Sequence, residues 1–104
     1  MINKQQYGLE QTDIKNINSV LKKFDAVQSA ILFGSRAMET YQAGSDIDIT
    51  LKGDSISHHT LLDILIALDE LDLPYKFDII IYCEIKEPAL LEHINRVGKS
   101  LFIR

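Results

Sequence analysis

The chain carries one cysteine, Cys83, so it can form no internal disulfide, and a reducing cytosol is its natural setting. A lone thiol of this kind reads as a small buried hydrophobe. No apolar run approaches the roughly 18 residues of a membrane span, and the polar start MINKQQYGLEQ lacks the apolar core of a signal peptide. Basic charge is scarce too. Eleven Lys and Arg stand against 15 Asp and Glu, a formal net charge of -4, which argues against a domain built to grip a nucleic-acid backbone. His58 and His59 are adjacent and diverge around a helix, and no Cys/His ligand spacing accompanies them, so a zinc site is not expected. Repeats, linkers and low-complexity stretches are missing as well. What remains is one cytoplasmic, soluble domain over residues 1–104, 46% hydrophobic and 25% charged, large enough for a single core.

Periodicity divides that domain. Ile14, Ile17, Leu21 and Phe24 fall on one helix face, with Thr12 or Asp13 available as the cap. AVQSAILF is a short apolar run that reads as a buried strand ending at Gly34. A loop, GSRAMETYQAGS, with room for one helical turn, leads to a strand over Asp46–Lys52. There Ile47, Ile49 and Leu51 occupy one face and Asp46, Asp48, Thr50 and Lys52 the other. Leu61, Ile64, Leu65, Leu68 and Leu71 mark a second long helix, capped by Ser57 and stopped by Pro74. KFDIIIY is a third strand, Glu87-Pro88 opens a last helix that Gly98 closes, and SLFIR adds a terminal strand. The order predicts an α+β fold, a small mixed sheet flanked by helices.

Three aspartates conflict with this apolar frame. Asp46 and Asp48 are two apart on a strand, so both carboxylates leave the same face, and Asp78 interrupts the apolar run FDIII. Like charges gathered there raise one another's pKa unless a cation compensates them. Magnesium is the natural candidate, being a hard ion held by one or two carboxylates plus substrate phosphates. Gly34-Ser35, after the first strand, supplies a permissive backbone, a hydroxyl and an amide proton, the groups that hold a phosphate. Each feature alone is common. Gly34, Ser35, Asp46 and Asp48 at this fixed spacing arise by chance in roughly one chain per thousand of this length.

On these residues the chain resembles the minimal nucleotidyltransferases of the polymerase-beta-like superfamily. Their signature is Gly-Ser, ten residues, Asp-x-Asp, then a third carboxylate on a later strand. Here Gly34-Ser35, Arg36 to Ser45, Asp46-Ile47-Asp48 and Asp78 fill it, and the likeness spans essentially the whole chain. The resemblance implies the nucleotidyltransferase fold and a magnesium-dependent enzyme, with two ions held by Asp46, Asp48 and Asp78. It implies ATP as substrate, held by Gly34 and Ser35, with Arg36 as a further phosphate contact. Asp78 would help activate the acceptor hydroxyl. Many such proteins are antitoxins of helical HEPN toxins and move AMP onto a tyrosine of that partner. The resemblance thus implies an AMP-transferring antitoxin with a HEPN partner. Its alternatives are an antitoxin that works by occlusion, with Asp46, Asp48 and Asp78 vestigial, and an enzyme acting on a small molecule such as an aminoglycoside. The chain departs from the family at Met38 and Glu39, where relatives often carry a second arginine and a second glycine. Tyr41, in the same loop, is a candidate to stack on a base, and His93 reads as a boundary side chain of the last helix.

Overall fold

A computed structural model of the chain describes residues 5–104. Residues 1–4, part of the polar start that lacks a signal-peptide core, lie outside the described residues. Two short strands open the described chain, β1 (Gln5–Gln6) and β2 (Leu9–Glu10), followed by α1 (Gln11–Lys22), β3 (Ser29–Phe33) and the single turn α2 (Gly34–Ala37). Then come β4 (Ile47–Lys52), α3 (His58–Asp69), β5 (Phe77–Ile81), a 3-10 turn at Tyr82–Glu84, α4 (Pro88–Val97) and β6 (Lys99–Ile103). The fold is α+β, and the elements read from periodicity are present.

Four strands form a mixed sheet in the order β5-β4-β3-β6. β3 runs antiparallel to both β4 and β6, whereas β4 and β5 are parallel. A parallel pair needs a crossover, and α3 supplies it. The alternation in β4 sorts the two faces: Ile47, Ile49 and Leu51 are wholly buried and join Ile17, Leu21, Ile64 and Leu68 in one core. α1 and α3 therefore cover that face. The opposite face carries Asp48, its antiparallel partner Phe33 and, farther along β3, Ile31. α4 packs there over β3, with Ile94 buried and Gly98 closed against Ile31. The carboxylates occupy this face only at the starting ends of β4 and β5, where Asp48 pairs with Asp78.

Local chemistry explains most boundaries. The Ser57 side chain caps α3 by accepting from the Thr60 amide, as its position predicts. Pro88 occupies the first turn of α4, where its missing N–H costs nothing. α1 departs from expectation: it starts at Gln11 behind Glu10, with no side-chain cap, because β2 runs directly into it. The β1–β2 hairpin was also unforeseen. Its two loop residues, Tyr7 and Gly8, both have positive φ, as a tight type I′ turn requires. Cys83 corrects a second expectation. It is exposed on the 3-10 turn after β5, since the chain leaves the sheet before reaching it. No helix among the described residues is long and apolar enough to cross a membrane.

Thr50 lies on the carboxylate face of β4, is wholly buried, and its hydroxyl has no hydrogen-bond partner. A buried hydroxyl left unsatisfied costs about 1–3 kcal/mol. Thr50→Val should therefore stabilise the fold by about 1 kcal/mol, read as a higher urea midpoint with unchanged slope.

Candidate active site

The site forms where β3 ends beside the starts of β4 and β5. Asp48 pairs with Asp78 across the parallel β4–β5 ladder, and paired residues of a parallel ladder project to the same face. Asp46 stands two residues before Asp48, next to Ile47, whose amide bonds the Lys76 carbonyl at 2.8 Å. Asp46 and Asp78 are exposed and Asp48 is half-buried. Burial pushes the Asp48 carboxyl above its ordinary range, and the charges of Asp78 and then Asp46 push it further, against partial relief from the Arg36 charge. The three aspartates thus share one electrostatic site.

Gly34 completes it from the other side. The Phe33–Asp48 pairing brings Asp48 over the end of β3, and a Cβ at Gly34 would overlap the Asp48 Oδ2. Gly34 also has φ +74°, a conformation open to glycine and strained for other residues. Two independent constraints therefore require glycine here. Ser35 follows in the first turn of α2, with its carbonyl accepting from the Thr40 amide at 2.9 Å. The Gly34 amide donates to His93 Nε2 at 3.2 Å, a contact that spans the chain from β3 to α4. His93 also meets the Phe33 ring edge-on, with centroids 6.2 Å apart. Sequence reasoning had no means of placing His93 there, since the pairing depends on how α4 lands on β3.

Arg36 has a different setting from the phosphate contact expected of it. It is only 2% exposed. Its Nε and Nη2 donate to the Ser45 carbonyl at 3.1 and 2.9 Å, and its Nη1 donates to the Tyr7 carbonyl at 2.9 Å. The rings of Tyr41 and Tyr75 flank the guanidinium at 5.3 and 5.0 Å. Arg36 thus ties the active-site loop to the β1–β2 hairpin, and Tyr41 serves as one of its walls. Met38 and Glu39 are exposed on the loop. Glu39 has φ +60°, so the backbone keeps the left-handed turn that a glycine would adopt freely.

Among the described residues, no three His, Cys, Asp or Glu side chains are gathered closely enough to hold a metal ion by themselves. The donor set nevertheless suits magnesium, which takes hard oxygen ligands and is usually held by one or two carboxylates with substrate phosphates. A divalent cation would also remove the repulsion that raises Asp48. The residues present fit the ion.

The family model described as Polymerase beta, Nucleotidyltransferase matches residues 15–104. The chain belongs to this family. Comparison with curated proteins finds no match. Among solved structures, a toxin–antitoxin crystal structure with AMP-PNP is similar with a TM-score of 0.70 and 23% identity, over 88% of this chain and 73% of that one. A second is the tri-AMPylated Shewanella oneidensis HEPN toxin in complex with MNT antitoxin. Its TM-score is 0.66 and its identity 22%, over 90% of this chain and 72% of that one. The toxin–antitoxin MntA-HepT gives 0.65 and 22%, over 90% and 73%. At these identities the likeness shows a shared nucleotidyltransferase fold, in agreement with the family match.

Two outcomes follow for the apo protein. Because the folded carboxyl of Asp48 titrates above the unfolded one, its stabilising contribution is complete below the unfolded pKa and is lost as pH rises through the folded pKa. Asp48→Asn should therefore raise the melting temperature at pH 7 in EDTA, and the gain should vanish near about pH 3. Glu39→Gly removes a left-handed non-glycine residue, at some cost in unfolded-state entropy, and should stabilise by about 0.5–1 kcal/mol in urea titration.

Proposed function

We propose that the chain is a magnesium-dependent nucleotidyltransferase that moves AMP from ATP to a tyrosine hydroxyl of a HEPN partner, silencing a toxin. Residues 1–104 would act as one minimal catalytic domain in the cytoplasm. The observation that carries this reading is the register of β4 and β5. It sets Asp48 beside Asp78, directly over the Gly34-Ser35 turn, on a face that α4 leaves open.

Asp46, Asp48 and Asp78 would hold magnesium, which when bound supplies positive charge to the triphosphate and lowers the pKa of the attacking hydroxyl. Ser35 and the turn would hold the phosphates. Asp78, the most open of the strand-borne carboxylates, would accept the tyrosine proton. The tyrosine oxygen forms a bond to the α-phosphorus while the bond from that phosphorus to the bridging oxygen breaks, and pyrophosphate leaves. Positioning and charge neutralisation would do the rest. Arg36 contributes through the loop that it braces and through its field on Asp48.

The open setting of the carboxylates favours a protein acceptor, because a flat site buries little of a small molecule. The solved toxin–antitoxin complexes of the same fold, one with AMP-PNP and one with a tri-AMPylated toxin, support the same reading. A second reading, neutralisation by occlusion, is favoured by Glu39, which adds a negative charge to the loop beside the carboxylates, and by Met38 in place of a cation.

Intact-mass spectrometry of a cognate HEPN protein, after incubation with the chain, ATP and magnesium, separates the two. The expected outcome is a gain of one or more AMP units that Asp46→Asn/Asp48→Asn abolishes. A stable complex with no mass gain would sink the transferase reading and leave occlusion.

A further inference from the structure

We propose that His93 is a positioning residue of the nucleotide site, holding the Gly34-Ser35 turn in its phosphate-binding shape through the Gly34 amide. This rests on the nucleotidyltransferase reading above and extends it to a residue on α4 that touches neither carboxylates nor substrate directly.

The Gly34 amide sits at the hinge where extended β3, ending with Phe33 at φ -138° and ψ -170°, turns into α2. It is half-buried there, and as the first amide of α2 it has no partner within the helix. A backbone N–H can only donate, so the His93 Nε2 that receives it must present its lone pair; the ring is neutral, with its proton on Nδ1. The imidazole is fixed by what surrounds it. Phe33 meets it edge-on, and the next residue along α4, Ile94, is 2% exposed. Gly98, at the end of α4, is closed against Ile31 of β3. The docking of α4 therefore sets His93, and His93 sets Gly34.

The consequence reaches the carboxylates because Gly34 and Asp48 are in close contact. A Cβ at Gly34 would overlap Oδ2, so even a small rotation of the turn changes where that oxygen can sit. Without the acceptor, the amide would seek water and the left-handed turn would lose its anchor. The Gly34-Ser35 backbone and the Asp48 rotamer would then sample several positions. Nucleotide affinity should suffer more than the chemical step, since the ground-state grip on the phosphates is what the turn provides.

The test compares His93→Phe, which keeps a ring against Phe33 but cannot accept, with His93→Gln, whose side-chain oxygen can. AMP-PNP affinity with magnesium is measured by calorimetry, and KM for ATP and kcat by AMP transfer. His93→Phe should weaken AMP-PNP binding and raise KM about three- to tenfold with a smaller change in kcat, while melting near the wild-type temperature. His93→Gln should recover most of that loss. Wild-type affinity in His93→Phe, or equal loss in both variants, would overturn the proposal.

Failure of the parent reading is separable. If the wild type binds AMP-PNP but transfers no AMP, the transferase reading fails and the calorimetric comparison still decides His93. If the wild type binds no nucleotide, hydrogen exchange at the Gly34 amide, followed by NMR, takes over. Faster exchange in His93→Phe, restored in His93→Gln, would support the anchoring role, and unchanged exchange would overturn it.

Discussion

The buried guanidinium of Arg36 is the interaction on which the carboxylate end of the molecule depends. A cation taken out of water needs compensation, and here it comes from two carbonyl oxygens and two aromatic faces. Hydrogen bonds to a charged group are worth about 1.5–3 kcal/mol, and a desolvated cation–aromatic contact adds up to about 2 kcal/mol. The pieces so joined are distant in sequence: Tyr7 of the hairpin, Tyr41 and Ser45 of the active-site loop, and Tyr75 ahead of β5. Tyr75 is anchored in turn by its hydroxyl, which donates to Asp13 at 3.4 Å. Gly8 is glycine partly because Arg36 and Tyr41 fill the space a Cβ would need. Since Ser45 immediately precedes Asp46, the brace also fixes where the first carboxylate enters the sheet.

This arrangement places positive charge behind the site and negative charge in front. Arg36 lowers the cost of ionising Asp48 without screening it from what approaches the open face, because its donors face backbone oxygens. The surplus of acid is a local electrostatic strain, and such strain is usual where a site is shaped for a ligand. Glu39 adds backbone strain of its own through its left-handed conformation. The loop thus keeps a glycine-like path while losing the residue best suited to follow it.

Periodicity made the sheet legible because β4 is one residue pattern with two meanings. Ile47, Ile49 and Leu51 announced the buried face, and Asp46 and Asp48 the carboxylate-bearing one. Ser57, Pro88 and Gly98 marked helix ends through side-chain and backbone chemistry that acts over a few residues. Features created by contacts between distant segments were not legible. Strands of two residues, as in the hairpin, are too short to show alternation. Arg36 looks like any loop arginine until Tyr7 and Tyr75 close around it, and His93 looks like a helix boundary until α4 meets β3. Cys83 was misplaced for a related reason: the apolar run before it ends one turn too soon to bury it.

The parallel pairing of β4 with β5 has a kinetic side. Antiparallel β3 and β4 can find one another through the loop between them, but β5 can join β4 only after the chain has passed through the whole of α3 and packed it against the core. Asp48 and Asp78 therefore stay apart until the crossover is complete. An opening that released α3 and β5 together would dismantle the site while β3, β4 and β6 remained paired. In that sense the full carboxylate cluster reports on the integrity of the domain, since a chain with β5 released keeps Asp46 and Asp48 together but loses Asp78 from beside them.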